Sequence, residues 1–163
     1  MRSAAIRCFD VNLSEVIFGW RPFADSPVTI TAAPRHARWR KVKPKPDSKT
    51  VRARRAEADH SVKTAQGKLR ARGGEDYIVS YGGADKAVVR GDIFEKTYEP
   101  AGVGIFRKRT DITLRYFTLE RPAIVHTLEG EQRAEPGDWI MQGVAGELWP
   151  VPREKALQKY TPL

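Results

Sequence analysis

Ten lysines and arginines crowd residues 35–55: Arg35, Arg38, Arg40, Lys41, Lys43, Lys45, Lys49, Arg52, Arg54 and Arg55, against one acid, Asp47. Cations at this density do one kind of chemistry well, the neutralisation of phosphates on a polyanion. Trp39 lies among them, and an aromatic ring between basic residues gives a base something to stack on. The contact set read from the sequence is Arg38, Arg40, Lys41, Lys43, Lys45, Arg52, Arg54 and Arg55 on phosphates, with Trp39 stacking. Nucleic acid is the first partner this implies and an acidic protein the second. A solvated linker, or an arm laid on an acidic patch of its own body, explains the same run without a partner.

The remaining reactive side chains form no catalytic pattern. Asp76 and Asp138 each sit at a turn-to-strand junction and precede an aromatic residue. A carboxylate there accepts backbone N–H groups and fixes the turn; acid–base chemistry would need the two close together and desolvated. His36, His60 and His126 are the only histidines and Cys8 the only cysteine, with no metal-ligand spacing among them. No glycine run has a phosphate-cradling context and no nucleophile elbow is present. No catalytic residue, metal or cofactor is expected, and the chain is read as a binding protein rather than an enzyme.

Charge and hydropathy bound the rest. The net charge of +9 is concentrated: residues 1–72 hold 17 Lys/Arg against 6 Asp/Glu, whereas 73–163 hold 12 against 14. No apolar run approaches the ~20 residues of a membrane span. One unpaired cysteine fits a reducing compartment, so a cytoplasmic location is expected. Arg2 and Arg7 resemble the start of a targeting peptide, but Asp10 and Glu15 interrupt it.

These residues must be held by some framework. Ile6, Phe9, Leu13, Val16 and Trp20 recur at helical spacing over 4–20, an amphipathic helix closed by Arg21-Pro22. Its stripe either packs on the body or takes a partner. Residues 22–49 read as a basic, Pro-rich arm, because Lys43-Pro44-Lys45-Pro46 favours extended, solvated backbone. From Thr50 onward short strands alternate with glycine turns, and Asp92 with Glu95 reads as a capping box opening a short helix. The chain also repeats itself. Aligning Asp76 with Asp138 pairs Tyr77 with Trp139, Ile78 with Ile140, Tyr98 with Tyr160 and Pro100 with Pro162. Upstream, after a one-residue shift, Val62, Thr64, Gly67, Arg70 and Ala71 fall on Val125, Thr127, Gly130, Arg133 and Ala134.

The expected architecture is mainly β (α+β): two tandem, small, curved antiparallel sheets or partial barrels, each with a short terminal helix. A helix (1–21) and the arm (22–49) precede the units at 50–100 and 106–163. Units this small gain from packing their inner faces together. That packing would open a cleft lined by Arg70, Asp76 and Tyr77 opposite Arg133, Asp138 and Trp139, a second candidate site suited to a small, nucleotide-type ligand. Self-association is compatible with either reading.

Thr127 to Glu131, Pro136-Gly137-Asp138-Trp139-Ile140 and Gly143 to Val151 resemble a family of small phage, prophage and bacterial proteins with a Pro-Gly-Asp-aromatic core, the PGDYG-like module. Gly91 to Glu99 resembles the other end of that module. The first unit departs from it in having Gly74-Glu75-Asp76-Tyr77, and the second in its terminal helix. The resemblance covers roughly 50–163. It implies the duplicated fold and an origin in a phage or mobile element, where a structural or assembly role is a third reading. It transfers no catalytic residue.

Overall fold

The structure, a computed structural model, describes residues 26–65 and 67–163. The helix expected over 4–20 lies outside the described residues. The fold is mainly β, with 53% of the described residues in strands and 10% in helices. Two strands come first, β1 (Val28–Ile30) and β2 (Arg40–Pro44). The next elements are β3 (Thr50–Arg55), β4 (His60–Thr64), β5 (Gly67–Ala71), β6 (Asp76–Gly82), β7 (Asp85–Arg90), α1 (Gly91–Thr97), β8 (Tyr98–Gly102) and β9 (Ile105–Lys108). Then follow β10 (Leu114–Thr118), β11 (Ala123–Thr127), β12 (Gly130–Ala134), β13 (Trp139–Gln142), β14 (Leu148–Val151), α2 (Arg153–Lys159) and β15 (Tyr160–Pro162).

Two five-stranded antiparallel sheets dominate, ordered β7-β6-β3-β9-β8 and β14-β13-β10-β2-β15. None of the sheets closes into a barrel. The hairpin β4-β5 stands beside the first sheet and β11-β12 beside the second, where β1 joins β11 in parallel. The registers coincide position by position. Arg52 lies opposite Ser80 as Arg115 lies opposite Gln142, and Arg55 opposite Tyr77 as Thr118 opposite Trp139. The fourth strand of each sheet is where the chain departs from expectation. In the first sheet β9 lies between β3 and β8; in the second the same place is taken by β2. Val42 lies opposite Leu114 as Phe106 lies opposite Val51, and Pro44 opposite Tyr160 as Lys108 opposite Tyr98. Even the exits match: Lys45 N–H donates to the Lys159 carbonyl and Arg109 N–H to that of Thr97, both at 2.8 Å.

Residues 40–44 are thus no linker, which corrects the boundary drawn at 22–49. Lys-Pro alternation does favour extended backbone, but Val42 is completely buried and two neighbouring strands satisfy the peptide groups. The units also do not share their inner faces. Val51, Val79, Phe94 and Tyr98 form one apolar cluster and Ala56, Val62, Ala71 and Ile78 another, all from the first unit. The clusters around Ile140 and around Met141 draw only on the second unit and on residues 28–42. Each sheet carries its helix on one face and its hairpin on the other, so each unit is already covered.

The turns show where the one-residue shift arises. Gly74 and Gly137 both take positive φ (74° and 93°), a conformation glycine adopts without strain. Their N–H groups donate to the carbonyls of Ala56 and Leu119, at 2.7 and 2.8 Å. Glu75 is then one residue more than the second unit has before its aspartate. The capping box is not formed. Helix α1 begins at Gly91 with Arg90 at its N-cap and no side-chain cap. Asp92 therefore lies inside the first turn, where its carboxylate takes the Arg90 guanidinium at 2.5 and 2.9 Å.

Candidate functional site

The basic run is carried on strands. Val42 faces the α2 side of its sheet, so by alternation Lys41 and Lys43 face the other. Arg115 lies directly opposite Lys41 on that same face. In β3, Val51 and Ala53 face α1, which turns Arg52 and Arg54 outward. Arg52 and Arg115 hold equivalent positions in the two sheets, so an alignment over β3 and β10 would have added Arg115 to the predicted set. Like charges directly opposite across a ladder cost stability, and Lys41 facing Arg115 is such a pair. Arg115 relieves part of that cost by donating to Gln142 Oε1 and by lying over the Trp39 ring, 5.2 Å from its centroid.

Ion pairing divides the described arginines, and Arg121 and Arg153 fall with the unpaired ones. Arg70, Arg72, Arg90, Arg107, Arg109 and Arg133 each hold a carboxylate. Of the ten cations in 35–55 only Arg55 does so: it takes Glu95 at 2.7 Å, lies over Tyr77 and donates to the Gly74 carbonyl. Lys45 spends its ammonium on the Leu157 carbonyl at 2.6 Å. Arg38, Arg40, Lys41, Lys43, Arg52 and Arg54 are exposed and have no ion-pair partner among the described residues. Trp39 does not fill the stacking role read from the sequence. Its Nε1–H donates to the Pro34 carbonyl at 3.0 Å, its ring meets Phe117 edge-on at 5.0 Å, and Arg115 covers it.

A cleft of about 630 Å³ does lie between the units, with other walls than expected. Leu69, Arg70, Arg72, Asp76, Val88, Val89, Arg90 and Ile93 line it from the first unit. Thr127, Leu128, Glu129, Gln132, Glu147, Leu148 and Trp149 line it from the second. Of the six predicted residues it takes Arg70 and Asp76. Tyr77 instead stacks on Phe94 at 4.0 Å and Trp139 on Tyr116 at 3.9 Å, both on their helix sides. Arg133 pairs with Glu135, and Asp138 accepts the Glu135 N–H at 3.0 Å. Asp76, 4% exposed, accepts the Arg72 N–H at 2.9 Å and its guanidinium at 3.0 Å. Both aspartates thus fix turns. Partial burial raises the Glu129 carboxyl above the usual range.

Fold and surface together define a class: a small, two-unit β protein with exposed cations on strands of both sheets and a cleft between the units. No protein-family model matches the chain, no curated protein matches it, and no solved structure does either. No group of His, Cys, Asp and Glu suited to a metal ion occurs among the described residues. No described helix is long and apolar enough to cross a membrane.

Proposed function

We propose that this chain is a non-enzymatic nucleic-acid-binding protein that grips phosphate backbone through Lys41, Lys43, Arg52, Arg54 and Arg115. The observation that carries this reading is Lys41 facing Arg115 across the ladder, two exposed like charges with no ion-pair partner among the described residues. A polyanion laid on that face supplies the counter-charge the fold omits. Strand backbone holds the cations in place, and those two apart on one face stand about 6.8 Å from each other. Such contacts position a ligand without reading its bases.

Anisotropy titrations of labelled single- and double-stranded DNA and RNA at 50 and 200 mM salt test this. Four phosphate contacts on a duplex give roughly a hundredfold loss of affinity over that range. Charge reversal of Lys41→Glu with Lys43→Glu abolishes binding at the higher salt. Absent or salt-insensitive binding overturns the reading. Capture of polyglutamate without nucleic acid would assign the face to an acidic protein.

A further inference from the structure

Val88, Val89 and Arg90 all touch the cleft, as do Glu147, Leu148 and Trp149. Successive strand residues point to opposite faces, so a cavity met by three in a row lies along a strand's edge. β7 and β14 are edge strands of their sheets. The cleft is therefore flanked by two sheet edges.

The register shows which backbone groups those edges offer. Pro150 has no N–H and lies opposite Ile140, so that pair is not hydrogen-bonded and Pro150 turns its backbone outward. Val88, opposite Ile78, holds the equivalent position in the first sheet. Asp76, opposite Arg90, agrees with this phase. Its carbonyl accepts the Ala56 N–H at 2.8 Å and its N–H donates to the Arg72 carbonyl at 3.1 Å, both away from β7. Val88 consequently directs its N–H and C=O, and Arg90 its N–H, off the β7 edge into the cleft; the Arg90 carbonyl, at the N-cap, opens helix α1. On β14 the equivalent donor is missing, because a proline occupies it.

We infer that the cleft binds an extended peptide segment, which adds to β7 as one further strand. Main-chain bonds to Val88 and Arg90 supply the affinity, and side chains at alternate positions supply the selectivity. A volume of about 630 Å³ lies within the roughly 300–1,000 Å³ of ligand clefts. Ile93, Leu128, Leu148 and Trp149 form apolar wall for every second side chain. Arg72 and Arg90 are already matched by Asp76 and Asp92, whereas Glu129 has no ion-pair partner among the described residues. The segment is therefore apolar at alternate positions and carries a lysine or arginine that reaches Glu129. On the β14 edge Pro150 offers only its carbonyl, and Leu148, opposite Gln142 in the same phase, keeps an outward N–H.

The test pans a display library of linear seven-residue peptides on the full chain and measures the most enriched peptide by anisotropy. Enriched peptides show alternating apolar residues and one basic residue. Val88→Pro removes the outward donor and copies what Pro150 does in the second unit, so binding weakens about five- to tenfold, while the lost packing on the Ile78 cluster lowers the unfolding midpoint without unfolding the chain. Glu129→Gln lowers affinity for peptides with the basic residue and not for those without it. Enrichment without alternation, no enrichment, or undiminished binding to Val88→Pro overturns the inference. So does self-association that Val88→Pro abolishes, which would put a second copy in the cleft. Should Val88→Pro not fold, amide shifts of Val88 and Arg90 in the wild-type protein decide: unmoved on saturation with peptide, they overturn it equally.

Discussion

Val42 lies directly opposite Leu114, so a strand from ahead of the first unit completes the sheet of the second. The chain is thereby tied into one body although its apolar clusters stay separate. Val42 is 0% exposed, and a charge placed there has no partner. Val42→Ala costs about 2 kcal/mol from lost burial and the space left behind. Val42→Asp costs several kcal/mol more. Trp139 and Trp149 belong to the affected sheet, so Val42→Asp red-shifts tryptophan emission in native buffer. Unchanged emission and an unchanged denaturation midpoint would contradict the role given to β2.

Gly91 abuts the carbonyl of Glu75, the residue the second unit lacks. A Cβ at Gly91 would meet that oxygen closer than real Cβ atoms come, whereas Arg153 stands at the equivalent place in α2. Gly91→Ala therefore destabilises by roughly 1–3 kcal/mol through overpacking. Deleting Glu75 in that background restores much of the loss, since its ion pair with Arg72 is exposed and contributes little. Urea midpoints of the single and double variants check the coupling; additive losses would refute it.

The turn chemistry was legible before the structure because it is local. Gly67 and Gly130 and Asp76 and Asp138 fall at turns as the sequence has them, and the mainly β class follows from short strands set between glycine turns. The place of β2 was not legible. Lys-Val-Lys-Pro offers one apolar residue, and its pairing partners come at 114–116 and 160–162, beyond any local pattern. The cleft was misplaced for a related reason. Symmetry of sequence picked out Tyr77 and Trp139, but both rings face their own helices, while the edges at Val88 and Leu148 carry no motif.

Alkaline stability turns on Tyr98, which is buried and shares a hydrogen bond with the Tyr81 hydroxyl at 3.2 Å. Burial raises its pKa, and the neighbouring Tyr81 raises it further. Burial also raises the Tyr160 pKa. A phenol whose pKa is higher folded than unfolded keeps its full contribution below the unfolded value of about 10. That contribution falls as pH climbs from there toward the folded value. These two phenols accordingly make denaturation midpoints decline above about pH 10. Tyr98→Phe flattens the decline and leaves the residue owed to Tyr160. An alkaline limb as steep in the variant as in the wild type would rule this out.

Arg55 lies one residue beyond Arg54, yet the two should behave as different kinds of residue. Arg54 points off the sheet away from α1, whereas Arg55 shares the α1 side with Tyr77 and is held by Glu95 and the Gly74 carbonyl. Removing Arg52 and Arg54 together takes two cations from the proposed phosphate face. The slope of log affinity against log salt then shallows by about 2 on duplex DNA, with the unfolding midpoint unmoved. Removing Arg55 gives the opposite result. The polar contacts to Tyr77 and α1 and the packing on the Tyr77 ring are lost, so the unfolding midpoint falls while the salt slope stays at the wild-type value. Titrations of both variants at three salt concentrations, beside their melting curves, separate the outcomes. A slope that shallows equally for Arg55→Ala would show that the whole basic run acts as an undifferentiated cloud of charge, and not through cations sorted by the alternation of β3.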